Sequence, residues 1–267
     1  MWRKLYFNND RISNGIDRIL KSGLGYIDHD TGLIITESKM MQPNGNWIFF
    51  GYTTSLRHCH LWHAIMFNFF DLVPEYCRFR CYKIVVKVRN FMEAIQFNNL
   101  MNSSPLIDAD LTTMHGKVGM DTRHYSNGHF NGFVYCDGLE DALEQYEAVR
   151  KLVSDHLSPD IDIIIKRTCT EFEKRFGPTD QPFWQKMSDT DLDIQRHLED
   201  IFKVQQSCAV QPDWVKNKLI ARFARWANTV GDKTWVDYFG QDFLTMQAVT
   251  YHNQSTKGDS TNGTSKD

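Results

Sequence analysis

The densest set of chemically capable side chains is Arg57-His58-Cys59-His60-Leu61-Trp62-His63. On a strand His58 and His60 share a face, because side chains alternate with period two. On a helix His60 and His63 share one instead, at i and i+3. Either geometry brings two imidazoles together, as zinc or a nuclease-type metal requires of its ligands. His58, His60 and His63 are therefore candidate metal ligands, and a divalent metal is the candidate cofactor. Unbroken apolar residues onward to Phe70 favour the helix, in which the histidines begin a buried element and are held by hydrogen bonds.

Three further sets deserve chemical weight. His115, Asp121, Arg123, His124, Tyr125 and His129 lie on one polar stretch and suit metal binding, acid–base work or a partner-binding loop. The run Lys166-Arg167-Thr168-Cys169-Thr170-Glu171-Phe172-Glu173-Lys174-Arg175, read as a continuing strand, puts Arg167, Cys169, Glu171 and Glu173 on one side. Such a face is a solvated ladder of ion pairs, unless Glu171 is buried and acts as a base with a raised pKa. Finally, Arg78, Arg80, Lys83, Lys87 and Arg89 occupy residues 76–92, which hold no acid, and Lys218, Arg222 and Arg225 recur along a helical stretch. Acids gather elsewhere, at Asp137, Glu140, Asp141, Glu144 and Glu147 and again over 189–200. These eight basic residues are the candidate nucleic-acid contacts, with Phe79 and Tyr82 near enough in sequence to stack bases.

Two family resemblances bear on these sets. His58-Cys59-His60 resembles the His-hydrophobic-His element of rolling-circle nucleases and relaxases, with Cys59 in the middle position. That resemblance implies a metal-assisted nuclease with a nucleophilic Tyr on a helix, often followed by Lys; here Tyr146 is followed by Arg150 and Lys151. Residues Ile16 to Leu24, followed by Phe49 to Ser55, are similar to the opening of ADP-ribosyltransferase domains, where a helix ending in Gly-Leu precedes a strand with Tyr and Thr or Ser. The similarity implies a transferase, although the leading His or Arg and the catalytic Glu of that family have no counterpart here. No G-x-G-x-x-G, P-loop, G-x-S-x-G or H-E-x-x-H occurs, which leaves the common dinucleotide, NTPase, hydrolase and zincin readings without support.

The elements that must position these residues follow from periodicity. A helix runs through Ile16, Ile19 and Leu20, capped by Ser13 or Asn14 and stopped by Gly23 and Gly25. Strands are expected at 32–37 and 47–53, paired as a hairpin around Asn44-Gly45, and at 79–89, where Ile84, Val86 and Val88 oppose Lys83, Lys87 and Arg89. A buried helix over 55–72 ends at Pro74, and a long loop fills 102–132 with one strand around 106–111. A strand at 133–136, a helix from Leu139 to His156 and a strand at 161–167 follow. Helices are expected at 189–206, 213–229 and 234–248, and a disordered tail over 253–267. Strand–helix–strand order over 48–88 and again over 132–167 predicts an α+β fold, a mixed sheet of two βαβ-like, ferredoxin-like units. The expected organisation is a core domain over 1–180, a helical C-terminal region over 181–252, and the tail.

The chain has 267 residues, 42% hydrophobic and 24% charged, with 30 Lys and Arg against 33 Asp and Glu. A formal charge of −3 restricts any nucleic-acid role to a local patch. No run of about 18 apolar residues occurs, so no membrane partner is expected. Six cysteines without a CxxC pair, behind an N-terminus with no apolar leader, read as reduced thiols in the cytoplasm. The aromatic residues Trp214, Trp226, Trp235, Tyr238 and Phe239 equip the C-terminal helices for a protein partner or self-association. The functional expectation is thus a soluble nucleic-acid-binding protein. The alternatives are a metal-assisted nuclease-like or transferase enzyme using the His-Cys-His cluster, and an inhibitory or structural partner-binding protein.

Overall fold

A computed structural model describes residues 10–37, 45–51, 62–103, 114–126, 128–205 and 211–245. Its centre is a five-stranded antiparallel sheet. The strands are β3 (Trp47–Phe50), β5 (His115–Met120), β6 (Phe130–Asp137), β4 (Cys81–Val86) and β7 (Ile163–Arg167), in that spatial order. A smaller sheet joins β1 (Gly25–Ile27) antiparallel to β2 (Ile34–Glu37), and β2 parallel to β8 (Phe202–Gln205). The expected 32–37/47–53 hairpin is therefore absent: β2 and β3 belong to different sheets.

One half of the expected duplication matches the structure. Strand β6, helix α4 (Leu139–His156) and β7 form a strand–helix–strand unit whose two strands run the same way, with β4 antiparallel between them. The other half does not match. Strands β3 and β4 run antiparallel with two strands between them. The apolar segment between them, a π-helical turn over His63–Phe67 extended by Asn68–Phe70, packs into a separate core. It stops at Asp71, which takes a left-handed conformation with φ 54°, rather than at Pro74. Pro74 instead begins helix α2 (Glu75–Phe79), which occupies the start of the expected 79–89 strand.

Three helices cover one face of the large sheet. Helix α3 (Phe91–Met101) starts where Asn90 accepts from the Glu93 N–H, while Glu93 reaches back to the Arg89 N–H. This pairing satisfies donors that a helix start leaves open. Phe97 of α3 presses on Gly132 so closely that an added Cβ would lie 2.4 Å from its ring. Helix α4 runs over β6, β4 and β7, and α7 (Asp213–Thr229) over β3 and β5. Ile48, Ile84, Val86, Val118, Val134 and Ile163 from the strands meet Phe97, Val149, Leu219 and Phe223 from the helices in one core. Helix α8 (Trp235–Phe239) closes its end.

A second core joins the N-terminal helix α1 (Asp10–Ser22) to α6 (Asp189–Ile201), through Ile12, Ile16, Ile19, Ile194 and Leu198. Arg11 ties it together by donating to the carbonyls of Phe70 and Asp71 and pairing with Asp191 at 2.9 Å. The C-terminal residues are therefore interleaved with earlier ones: β8 completes the small sheet and α7 completes the large core. The tail 253–267 and the expected strand at 106–111 lie outside the described residues. No described helix is long and apolar enough to cross a membrane.

Candidate functional site

The face of the large sheet turned away from α3 and α4 has a different chemistry. Registered pairing lines up Phe49, Lys117, Phe133, Val85 and Ile164 across all five strands. The neighbouring row is His115, Tyr135, Lys83 and Lys166. Lys83 and Lys166 stand directly opposite each other, an arrangement that costs stability unless each charge finds other partners. Lys166 is relieved by an ion pair with Glu173. Lys83, only 7% exposed, sits 3.8 Å from the Cys169 sulfur and 5.4 Å from the centre of the Phe133 ring. Lys117 lies over the Trp47 ring at 4.4 Å, and Trp47 meets Phe133 edge-on at 5.4 Å. Cation–ring contacts of this kind favour ammonium groups on an aromatic floor.

A cleft of about 300 Å³ opens on this face. Its floor is Val85, Phe133 and Ile164, and its cationic lining is Lys83, Lys87, Arg123 and Lys166 against a single carboxylate, Asp121. A second cleft, about 360 Å³ between α2 and α6, has the opposite balance, with Glu75 and Glu199 against Arg80 beside Tyr76 and Phe79.

One wall of the basic cleft is a polar lock that joins two of the sets found in the sequence. The chain continues from Arg167 through Thr168 and Cys169 into helix α5 (Thr170–Phe176), so 170–176 is a helix rather than a strand. Thr168 makes the corner in a left-handed conformation, φ 53°, which a β-branched residue rarely adopts. From α5, Glu171 accepts from Arg123 at 2.9 Å and from the Tyr125 hydroxyl at 2.8 Å. Arg123 also grips buried Asp121 through two hydrogen bonds, at 2.7 and 2.5 Å. Planar two-point pairing suits a guanidinium and a carboxylate.

The charge states follow from these contacts. Burial pushes the Glu171 carboxyl up, but a hydrogen bond from its own backbone N–H, then those from Tyr125 and Arg123 and the Arg123 charge, win and hold it at about 2. Burial likewise opposes ionisation of Asp121, and Arg123 again reverses the direction, to below the usual carboxylate range. Burial and the Glu171 carboxylate push the Tyr125 hydroxyl up to about 12. The Arg123 guanidinium is held more firmly charged, first by its bonds to Asp121. Glu171 is therefore held ionised at neutral pH, and the raised pKa on which the general-base alternative depends is not found.

The other sequence candidates are dispersed. Arg78 is buried, 2% exposed, with its guanidinium 3.7 Å from the Phe183 ring centre and donating to the Lys186 carbonyl. Arg80 pairs with Asp137, Lys87 with Asp162 and Arg89 with Glu93. Three of the five are thus paired with carboxylates from outside the acid-free stretch, and only Lys83 and Lys87 of the five line the cleft. Lys218, Arg222 and Arg225 stand exposed on α7, in the helical layer. His124 meets Lys174, His129 meets Trp226 and His115 stacks on Tyr135, so the second set does not converge as one histidine centre. His58 and His60 and the side chain of His63 lie outside the described residues. Among the described residues no three His, Cys, Asp or Glu side chains form a metal-binding group. Cys77, Cys81 and Cys136 are buried and Cys169 is half-buried.

Lys117, Lys166 and the Trp47, Phe133 and Tyr135 rings are absent from the sequence-based nucleic-acid set. Their signal is present in β5, where His115 and Lys117 alternate with Val118 and Met120, but Gly116 and Gly119 interrupt it. No protein-family model, curated protein or solved structure matches this chain.

Proposed function

We propose that the protein binds single-stranded nucleic acid on the face of its five-stranded sheet opposite α3 and α4, one nucleotide seated in the basic cleft. The observation supporting this is the cleft's combination of an apolar floor, Val85, Phe133 and Ile164, with four cationic side chains and one carboxylate. A base has an apolar face and needs a flat apolar or aromatic support; its phosphate needs cations nearby. A volume of about 300 Å³ sits at the small end of ligand sites, enough for one nucleotide rather than a duplex. Lys83, Lys166 and Lys87 are the phosphate contacts in this reading, Lys117 and Trp47 extend the track toward β3, and Arg123 is the structural wall. The basic residues Arg78, Arg89, Lys218, Arg222 and Arg225 are not part of it.

The test is fluorescence anisotropy of a labelled oligothymidylate across a salt series. Affinity should fall steeply with salt, and Lys83→Met with Lys166→Met should flatten the log–log slope by about 1.4, from two lost contacts at ~0.7 each. Phe133→Leu should weaken binding while leaving that slope unchanged. Salt-independent binding, or wild-type affinity in the double-lysine variant, would overturn the proposal.

A further inference from the structure

Two exposed helix stripes at opposite lateral ends of the sheet carry complementary chemistry. On α4, Leu139 and Leu143 are 49% and 53% exposed, one turn apart. Exposed Glu140, Glu144 and Glu147 flank them, and none of the three has an ion-pair partner among the described residues. On α7, Trp214 is 56% exposed, and Lys218, Arg222 and Arg225 continue its stripe along the exposed side of the helix. The Lys218 ammonium lies 5.2 Å from the Trp214 ring centre, so an apolar plate and cations share one surface there. Three acids beside two leucines thus face the same problem as three bases beside one tryptophan: each is apolar area left in water within a rim of one charge sign.

The positions of the two helices decide how they can meet. In the strand order, α7 covers the β3–β5 end and α4 the β6–β4–β7 end. The two stripes therefore cannot meet within one molecule, but can meet between molecules placed side by side.

We propose that this chain associates with further copies of itself head to tail, the acidic Leu139/Leu143 stripe of one copy docking on the basic Trp214 stripe of the next. The contact is heterologous: a docked pair keeps one unused stripe of each kind, one on each copy, so association continues into open chains or closes as a ring. Trp214 covers the two leucines, and Glu140, Glu144 and Glu147 oppose Lys218, Arg222 and Arg225 at the rim. Exposed rim pairs are screened by salt, so assembly weakens as ionic strength rises.

Sedimentation equilibrium over a concentration series tests this with the full chain. The wild type should show a mass above one chain that rises with concentration at low salt and falls toward one chain at high salt. The triple reversals Glu140→Lys/Glu144→Lys/Glu147→Lys and Lys218→Glu/Arg222→Glu/Arg225→Glu, all at exposed positions, should each be monomeric alone. Mixed with each other they should associate again, as alternating copies, because the reversed stripes complement each other and so do the two native stripes that remain. A wild type monomeric at every concentration overturns the proposal, as does association that survives either reversal. If the α7 reversal leaves the mass unchanged but weakens oligonucleotide binding, the stripe is a nucleic-acid contact and the proposal also fails. Cleft variants leave assembly untouched, so its failure and that of the nucleic-acid reading are separately visible.

Discussion

Strand β4 gives Ile84 and Val86 to the helix-covered side of the sheet and Lys83 and Val85 to the other. The same alternation divides β6 between Val134 and Cys136 on one side and Phe133 and Tyr135 on the other. One side is filled by helices and contains no charge among its core residues. The other spends its apolar area on a floor for a cleft and holds lysines over aromatic rings. The comparison teaches that the helical side specifies the fold, because its packing tolerates no volume change, whereas the cleft side has chemistry beyond what folding requires.

The largest break in that comparison comes from the helical side. Phe97 is fully buried, meets Phe50 edge-on at 5.8 Å and fills the space above Gly132. Phe97→Ala should cost about 3–5 kcal/mol in chemical denaturation, from lost burial plus the cavity. The protein that remains folded should bind oligonucleotide with wild-type affinity, since no cleft residue changes.

Next in size is the lock beside the cleft. Glu171 titrates at about 2 in the folded protein, below its ordinary value of 4.5. A depressed folded value stabilises the native state at pH above the unfolded value, and the stabilisation disappears as pH falls through about 2. The side chain is one-third exposed, so screening trims the effect to about 2 kcal/mol at neutral pH. Glu171→Gln should lose that amount in urea titrations at pH 7, and the difference from wild type should shrink steadily as pH drops from about 4.5 toward 2.

These two experiments also mark how far the sequence was legible. Period-two alternation in 79–89 opposes Ile84, Val86 and Val88 to Lys83 and Lys87 as the structure does, and the sequence locates helix α4, although of its expected stripe Val149 and Val153 are buried while Leu139 and Leu143 are exposed. The α3 segment escapes such reading because apolar residues surround it almost completely, its helix being packed on several sides. Glycines in β5 hide a strand within a polar stretch: the Phe133 carbonyl and Phe50 ring at Gly116, and the Asn46 carbonyl at Gly119, approach too closely for any side chain. The charges mislead for another reason. Arg80, Lys87 and Arg89 find Asp137, Asp162 and Glu93, all from outside the acid-free stretch, so segregation of sign along 76–92 does not survive folding. The union of Asp121, Arg123 and Tyr125 with Glu171 spans about fifty residues and is visible only in three dimensions.

Arg78 sharpens the contrast from the other direction, being a charge placed in the interior rather than on a face. Burial lowers its pKa, and its guanidinium rests on Phe183 with one bond to the Lys186 carbonyl and no carboxylate within ion-pair distance among the described residues. Its Nε has no partner there either. An interior cation so sparsely compensated contributes little net stability, and a flexible apolar side chain of similar length fills the same space. Arg78→Met should therefore change stability by less than about 1 kcal/mol and leave oligonucleotide affinity intact. Loss of binding in this variant would restore Arg78 to the contact set.

The smallest expected effect probes the neutralised rim of the cleft. Lys87 lines the cleft but pairs with Asp162 at 2.6 Å, both side chains being well exposed. An exposed pair of this kind stabilises by under about 1 kcal/mol, so Asp162→Asn should scarcely move the denaturation midpoint. It should nonetheless release the Lys87 charge from its ion pair beside the proposed phosphate position. Oligonucleotide affinity should rise about two- to threefold at low salt, and the gain should vanish once the Debye length shrinks to a few ångströms at about 1 M salt. A gain that persists at high salt would mean that the carboxylate obstructs the ligand sterically rather than by charge, whereas an unchanged affinity at low salt would place the phosphate track away from β4.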